Sequence, residues 1–441
     1  MTEASLSAGL DAFDHRQAGA EIYALVERLY PLCRSITGDG LRETLRALQE
    51  LIPLSLHEVP SGSPVFDWTV PKEWNVRDAY IKDPEGRKVV DFRAHNLHLV
   101  SYSVPVQRKM PLSELKEHLH SLPEHPDWIP YRTSYYNEAW GFCLAHNRLL
   151  ALRDGDYEVC IDTTLSEGAL TYGEALLPGE SDDEVLIFAH ACHPSLCNDN
   201  LSGIGLAVFL ARFLAPLELR YSYRFVFAPA TIGSITWLSR NEAILPKIRH
   251  GLVASVLGDP GNFHYKRTYD GNAEIDRAVV RSLGDLGLPF EVRDFEPWGY
   301  DERQFNSPGL RLPVGRLTRS PNGEYAEYHT SADDLDLVRP ECLGESLKAY
   351  LSVINVLEGN KTYRNLAPKG EPQLGRRGLY RKLGGQQTIA LNQLAMLWVL
   401  NCSDGQQSLL DIAERANLPF RELQAVAETL EASGLLETVE T

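Results

Sequence analysis

Apolar positions recur along this chain with two different periods, and the change of period divides it. Between residues 20 and 52, Ile22, Leu25, Val26 and Leu29 share one helical face, as do Leu41, Leu45, Leu48 and Ile52. Thr37-Gly38-Asp39-Gly40 breaks this stretch into two helices. From 57 to about 160 the pattern becomes short alternating runs, rich in Pro and aromatics, such as Asn96-Leu97-His98-Leu99-Val100-Ser101-Tyr102. These runs predict a small, mostly β domain with one helix, Leu112 to Leu122. Its densest aromatic stretch, Trp128 to Tyr136, reads as the small domain's core in preference to the wall of a cleft.

From 161 to 360, apolar runs of strand length alternate with longer helical patterns. Strands are expected at Val185 to Ala189, Tyr223 to Ala228, Leu252 to Leu257 and Leu312 to Leu317. Helices are expected at Ile204 to Leu214, Ile235 to Ile248 and Glu341 to Leu357. Such alternation indicates an α/β fold with a largely parallel sheet covered on both faces. Residues 361–384, rich in Gly, Pro, Lys and Arg, read as a linker. Beyond 385 come helical segments at 388–400, 408–416 and 419–433, then Gly434-Leu435-Leu436-Glu437, the outline of a winged helix-turn-helix.

Charge narrows the partners. The 441 residues carry a net −17, and residues 385–441 alone carry −6. A recognition helix with that balance repels phosphate, so the winged helix suits a protein partner and no nucleic acid is expected. The chain lacks an apolar run of the ~20 residues a membrane helix needs. The acidic start MTEASLSAGLDAFDH does not resemble a signal peptide, so no membrane role and a cytoplasmic location are expected. Seven scattered cysteines suit reduced thiols, and Cys192 and Cys197 read as small buried residues. A homo-oligomer is left open.

The chemistry concentrates in residues 189–203, AHACHPSLCNDNLSG, between an apolar strand and a helix. His190, His193 and Asp199 are imidazole and carboxylate donors on a loop at a strand's end, as a zinc site requires. Asp199 lies just ahead of a helix N-terminus, where backbone N–H groups can fix its carboxylate. Asp259 also ends an apolar strand, and His329 lies four residues before Asp333. Asp333 could accept the second ring N–H of a metal-bound His329 and set its tautomer.

Taken in order, His193, Asp199-Asn200-Leu201-Ser202-Gly203, Asp259 and His329 with Asp333 resemble the M28 co-catalytic zinc peptidases. Nearly the whole chain is similar to an aminopeptidase-like group once described as domains of unknown function. The strings that carry this likeness are Ile129-Pro130-Tyr131-Arg132-Thr133-Ser134-Tyr135-Tyr136, Ala191-Cys192-His193-Pro194-Ser195, Thr231-Ile232-Gly233-Ser234-Ile235 and Asp301-Glu302-Arg303-Gln304. The resemblance implies an M28-like core with a mostly parallel mixed sheet flanked by helices, a small inserted domain and a C-terminal winged helix. The core would span 15–56 and 161–360, the insert 57–160, and the winged helix 385–441. Two neighbouring zinc sites are implied, with Asp199 bridging them, His193 and Asp259 completing one and His329 serving the other, although a departure at Ala230 leaves one or two zinc ions open. Asp301 matches an acid placed near the metals.

One departure bears on catalysis. M28 peptidases have a Glu pair after the strand that here reads Arg224-Phe225-Val226-Phe227-Ala228-Pro229-Ala230, and Ala230 holds the matching place. Ser195 stands where the family has Asp. A proton carrier must come from elsewhere, with Glu302 and Glu327 as candidates beside Asp301. The expected function is zinc-dependent hydrolysis of a small peptide or amide. The alternative is a metal-binding accessory protein that has lost hydrolysis.

Overall fold

A computed structural model of the chain describes residues 6–379 and 386–439. The chain divides into two compact units. One comprises Asp14–Gly271 and Glu291–Lys348. The other draws on the N-terminal residues up to Phe13, Asn272–Phe290 and the chain from Ala349 onward.

The larger unit is built on an eight-stranded sheet. Its order is Ser55–Pro60, Ala169–Leu177, Ser222–Ala228, Glu184–His190, Ile248–Ala254, Val314–Thr318, Phe263–Lys266 and Phe290–Arg293. The four strands from Ser222–Ala228 to Val314–Thr318 are parallel, and antiparallel strands pair outside them. Every residue of Glu184–His190 and of Ser222–Ala228 is buried. Side chains alternate across a strand, so burial of all seven positions means both faces are covered. Helix Gly203–Leu214 is accordingly apolar on nearly every side. Gly205 lets helix His15–Leu29 approach it, since a Cβ there would lie 2.7 Å from an Ile22 methyl. Buried Arg224 is held within the sheet by Glu184 (2.6 Å) and Glu174 (2.5 Å).

A second sheet in the same unit is antiparallel, in the order Lys88–Asp91, Glu73–Lys82, Asp156–Ser166, Val106–Pro111. Several elements depart from the sequence pattern for local reasons. The helix expected from Leu112 stops at Leu115, because Leu119–His120 pairs with Phe142–Cys143 and Pro123 disfavours helix before it. Asn96–His98 is a 3-10 turn capped by His95, not a strand. The helix expected over 235–248 is Ile232–Arg240. Pro246 cannot continue it, and Ile248 opens the next strand. That strand ends at Ala254, just before Val256 turns to φ 47°.

The smaller unit contains helices Gln386–Cys402, Leu409–Ala416 and Phe420–Ala432. Ser408 and Asp411 form a capping box that starts the second of these. The sheet beside them has Thr362–Asn365 in its centre, between Asp404–Ser408 and Leu436–Val439. Thus the stretch read as a linker contributes a strand. Helix Glu274–Asp285 also lies in this unit, where Arg277 pairs with Asp411 and Glu414 at 2.6 Å each. Among the described residues, no helix is long and apolar enough to cross a membrane.

Candidate metal centre

The central strand Glu184–His190 delivers His190 at its carboxyl end, the side of an α/β sheet where ligands bind. The loop beyond it returns Asp199 beneath that ring, with His190 Nε2 2.7 Å from Asp199 Oδ1. His329 arrives from far along the chain and places Nε2 3.0 Å from Asp199 Oδ2. His193 Nε2 lies 3.9 Å from the same oxygen. Donor atoms of His190, His193 and Asp199 all fall within 4.8 Å of one another. Three imidazoles therefore converge on one buried carboxylate.

Burial opposes the charge on Asp199, but His193 and His190 outweigh it and hold the carboxyl well below the usual carboxylate range. Burial pushes His193 down to about 3, against the pull of Asp199. A neutral imidazole keeps a lone pair free for a metal. Imidazoles gathered round an ionised carboxylate are a donor set that fits zinc.

Asp259 is not brought to this group. One of its oxygens accepts from Asn198 Nδ2 (2.9 Å), the other from Gly261 N (2.8 Å) and Ser320 Oγ (2.5 Å). The following Pro260-Gly261 makes it a turn aspartate that braces the loop carrying Asp199. His190 stands closer in, although the resemblance assigned the ligand role to His193 alone of the pair. Asp333 also acts differently from the expectation. Its oxygens accept the backbone N–H groups of Asn198 (2.5 Å) and Asp199 (3.0 Å) instead of a ring N–H of His329. Burial pushes its carboxyl up to about 8, with the two amides pulling the other way.

The Asp-Asn-x-Ser-Gly run has a structural logic. Asn200 Nδ2 donates to Ala254 O (3.0 Å), and Ser202 Oγ donates to Asn198 O (2.6 Å) while accepting from Leu257 N (2.9 Å). Gly203 is required, since a Cβ would come 2.3 Å from Ala254 O. Across the site, Tyr131 N donates to His329 O and Ser331 N to Ile129 O, both at 2.8 Å. His329 itself sits at φ 56° and Ser195 at φ 44°. Left-handed non-glycine residues cost on the order of 1–3 kcal/mol each and gather at functional sites.

Above the cluster opens a cavity of about 270 Å³. Tyr131, Tyr135 and Tyr136 line it with Tyr300, Tyr328 and Trp68. The aromatic stretch read as a core is thus, in part, the wall of a cleft. It was hidden because Tyr131 is also buried, its ring edge toward His193 and His329 at 5.2 and 5.1 Å. Ala230, at the place where the resemblance implies a Glu, lines the same cavity.

The candidate proton carriers separate. Asp301 is fully buried and accepts from Ser234 Oγ (2.6 Å). Its other oxygen has no partner among the described residues, and burial pushes its carboxyl up to about 6. Glu302 points to Lys266 (2.9 Å) and Arg316 (3.4 Å) in a buried ion pair. Neither Asp301 nor Glu327 is among the residues lining the cavity. One positioning residue had no sequence signal. Arg34 lies buried in a loop and donates from Nε to His193 O at 2.9 Å, and nothing in the apolar period marks it.

Comparison with known proteins agrees with this anatomy. A family model described as a domain of unknown function (DUF4910) matches residues 23–360, and one described as winged helix-turn-helix matches 361–438. A Clostridium acetobutylicum protein, provisionally named a polysaccharide biosynthesis protein with aminopeptidase-like domain, is 54% identical over 96% of this chain and 97% of its own. A crystal structure of a provisionally assigned peptidase from Clostridium acetobutylicum superposes with TM-score 0.93 at 52% identity, covering 96% of this chain and 97% of that one. A zinc aminopeptidase from Bacillus subtilis gives TM-score 0.57 at 13% identity, covering 78% of this chain and 95% of that one. An M28 peptidase precursor from Shewanella amazonensis gives 0.53 at 15% identity, with 80% and 97% covered. The last two show that the fold is aminopeptidase-like.

Proposed function

From a chain that belongs to the DUF4910 family and has an aminopeptidase-like fold, we propose a zinc-dependent hydrolase of a small amide or peptide. The observation that carries this reading is the convergence of His190, His193 and His329 on Asp199 at the floor of the cleft. Donor atoms of His190, His193 and Asp199 lie within 4.8 Å of one another and would hold one zinc with a position left open for water, His329 standing beside Asp199. Zinc held there would supply Lewis acidity and lower the pKa of water toward ~7. Asp199 contributes the negative charge, and His193 contributes a neutral ring whose main chain Arg34 holds. Asp333 fixes the loop that aims Asp199. Neither Asp301 nor Glu327 lines the cleft. Asp301 is the preferred proton carrier because Glu302 is bound in an ion pair, whereas burial raises the Asp301 carboxyl to about 6 and one of its oxygens has no partner among the described residues.

A second reading has its own observation. Ala230 leaves the cleft wall without the carboxylate that the resemblance to M28 peptidases implies, which favours a metal-binding protein that does not turn over. Metal analysis of protein purified without chelator, followed by a hydrolysis screen of aminoacyl, acyl and short-peptide amides, separates the two. About one zinc per chain and turnover abolished by His193→Ala are expected. Turnover that survives His193→Ala and Asp199→Ala would sink the metal mechanism. Bound zinc with no turnover across the panel would favour the second reading.

A further inference from the structure

We infer that the cleft takes an uncharged amide-bearing sugar, an N-acylated amino sugar, with Trp68 and Tyr136 as the platform for its ring. The inference rests on reading the His190, His193, Asp199 and His329 cluster as the amide-cleaving centre, and it names that centre's substrate class.

A free peptide brings an α-ammonium at one end and a carboxylate at the other. Each charge loses water on entering a cleft and needs a partner of opposite sign. Among the described residues, none of those lining this cavity is Asp, Glu, Lys or Arg. The polar groups on the wall are instead tyrosine and threonine hydroxyls, with the imidazoles at the floor. A tyrosine phenol, with an ordinary pKa of about 10, keeps its proton at neutral pH. A protonated hydroxyl both donates and accepts, which matches the hydroxyls of a sugar and not a formal charge.

The apolar part of the wall has the complementary shape. Trp68 and Tyr136 are 45% and 49% exposed, with ring centroids 5.4 Å apart and tilted by 54°. Trp68 projects from a short hairpin, Pro64–Val65 paired with Trp68–Thr69, in which neighbouring Val65 is fully buried. The hairpin is therefore anchored by Val65 and leaves the indole in water. Large exposed aromatics beside a cleft mark a surface meant to be covered. An aromatic ring with a wet edge suits a ligand that has one C–H face and a rim of hydroxyls. At about 270 Å³ the space falls just below the ~300–1,000 Å³ of ordinary ligand pockets, so it fits one ring and not a chain of them.

The test is binding, read without turnover, by ligand-observed NMR on the zinc-loaded full chain. The probes are N-acetylglucosamine, glucosamine and leucinamide. N-acetylglucosamine should bind, and the two cationic probes should bind several-fold more weakly. Trp68→Ala and Tyr136→Ala should each weaken N-acetylglucosamine about fivefold or more, the loss of one aromatic contact, with zinc content unchanged. Trp68→Phe should recover most of the affinity. Leucinamide binding more tightly than N-acetylglucosamine would overturn the inference in favour of a peptide site. So would sugar affinity that is unmoved by both alanine substitutions. Sugar binding that depends on Trp68, with no amide cleaved, would support the sugar site and remove the hydrolase reading.

Discussion

Asp333 shows how much one buried carboxylate controls. It accepts two successive backbone N–H groups, at Asn198 and Asp199, and so sets the aim of Asp199. Asn at this position offers one oxygen and turns an NH₂ toward an N–H. Asp333→Asn should therefore destabilise the protein by about 1–3 kcal/mol. It should also weaken zinc about 10–100-fold, as loss of a group that orients a ligand does. Competition titration against a chromophoric chelator measures the affinity, and unchanged zinc binding would refute the positioning role. Asp301 makes a separate prediction at the same scale. Asp301→Asn should lower kcat at least about 10-fold with zinc content intact, where a purely structural role would leave kcat alone. Turnover assayed beside metal analysis checks it.

At the scale of elements, the helix Asp39–Gln49 is tied to the strand Glu73–Lys82 by Arg42, which grips both oxygens of Glu73 at 2.8 and 2.5 Å. Arg42 beside it holds the Glu73 carboxyl down at about 2, against burial and with help from the Ala169 amide. A depressed carboxylate stabilises the fold above its ordinary value near 4.5, and that stabilisation fades as pH falls toward about 2. Glu73→Gln should thus cost about 1–2 kcal/mol at pH 7, allowing for partial screening by solvent. The gap from the unsubstituted protein should close between pH 4.5 and 2 in denaturant titrations. A gap that is constant with pH would mean that packing, not the ion pair, carries the effect. Elements also show where periodicity is legible. The buried strand Val185 to Ala189 and the apolar helix Ile204 to Leu214 were found within a residue, whereas Leu252 to Leu257 was placed three to four residues late. Leu112 to Leu122 was not, because a strand pairing with Phe142–Cys143 outweighed its helical pattern.

For the whole molecule, zinc binding should act as a stabiliser of the folded state alone. At a free concentration 100-fold above Kd, zinc adds about 2.7 kcal/mol. Chelation should therefore lower Tm by a few degrees, and added zinc should restore it, in a calorimetric scan. An unchanged Tm would count against a metal in the larger unit. The net −17, with −6 over residues 385–441, argues against phosphate binding. The protein should show no measurable duplex DNA affinity at moderate salt in a fluorescence anisotropy titration, and clear binding would reverse the reading of the winged helix.

Sequence alone determined the α/β character, the winged-helix outline, and the loop holding His193 and Asp199. These depend on local period, turn residues and contiguous donors, all of which lie close together along the chain. Tertiary structure alone decided who meets whom. It joined Ile129–Tyr131 to His329–Ser331, turned Asp259 and Asp333 into supports, and drew Arg34 beneath His193. It also made the aromatic run from Tyr131 to Tyr136 part of a cleft wall. A carboxylate at a strand's end looks the same in sequence whether it binds metal or a neighbouring amide. Only the distances set by folding distinguish them.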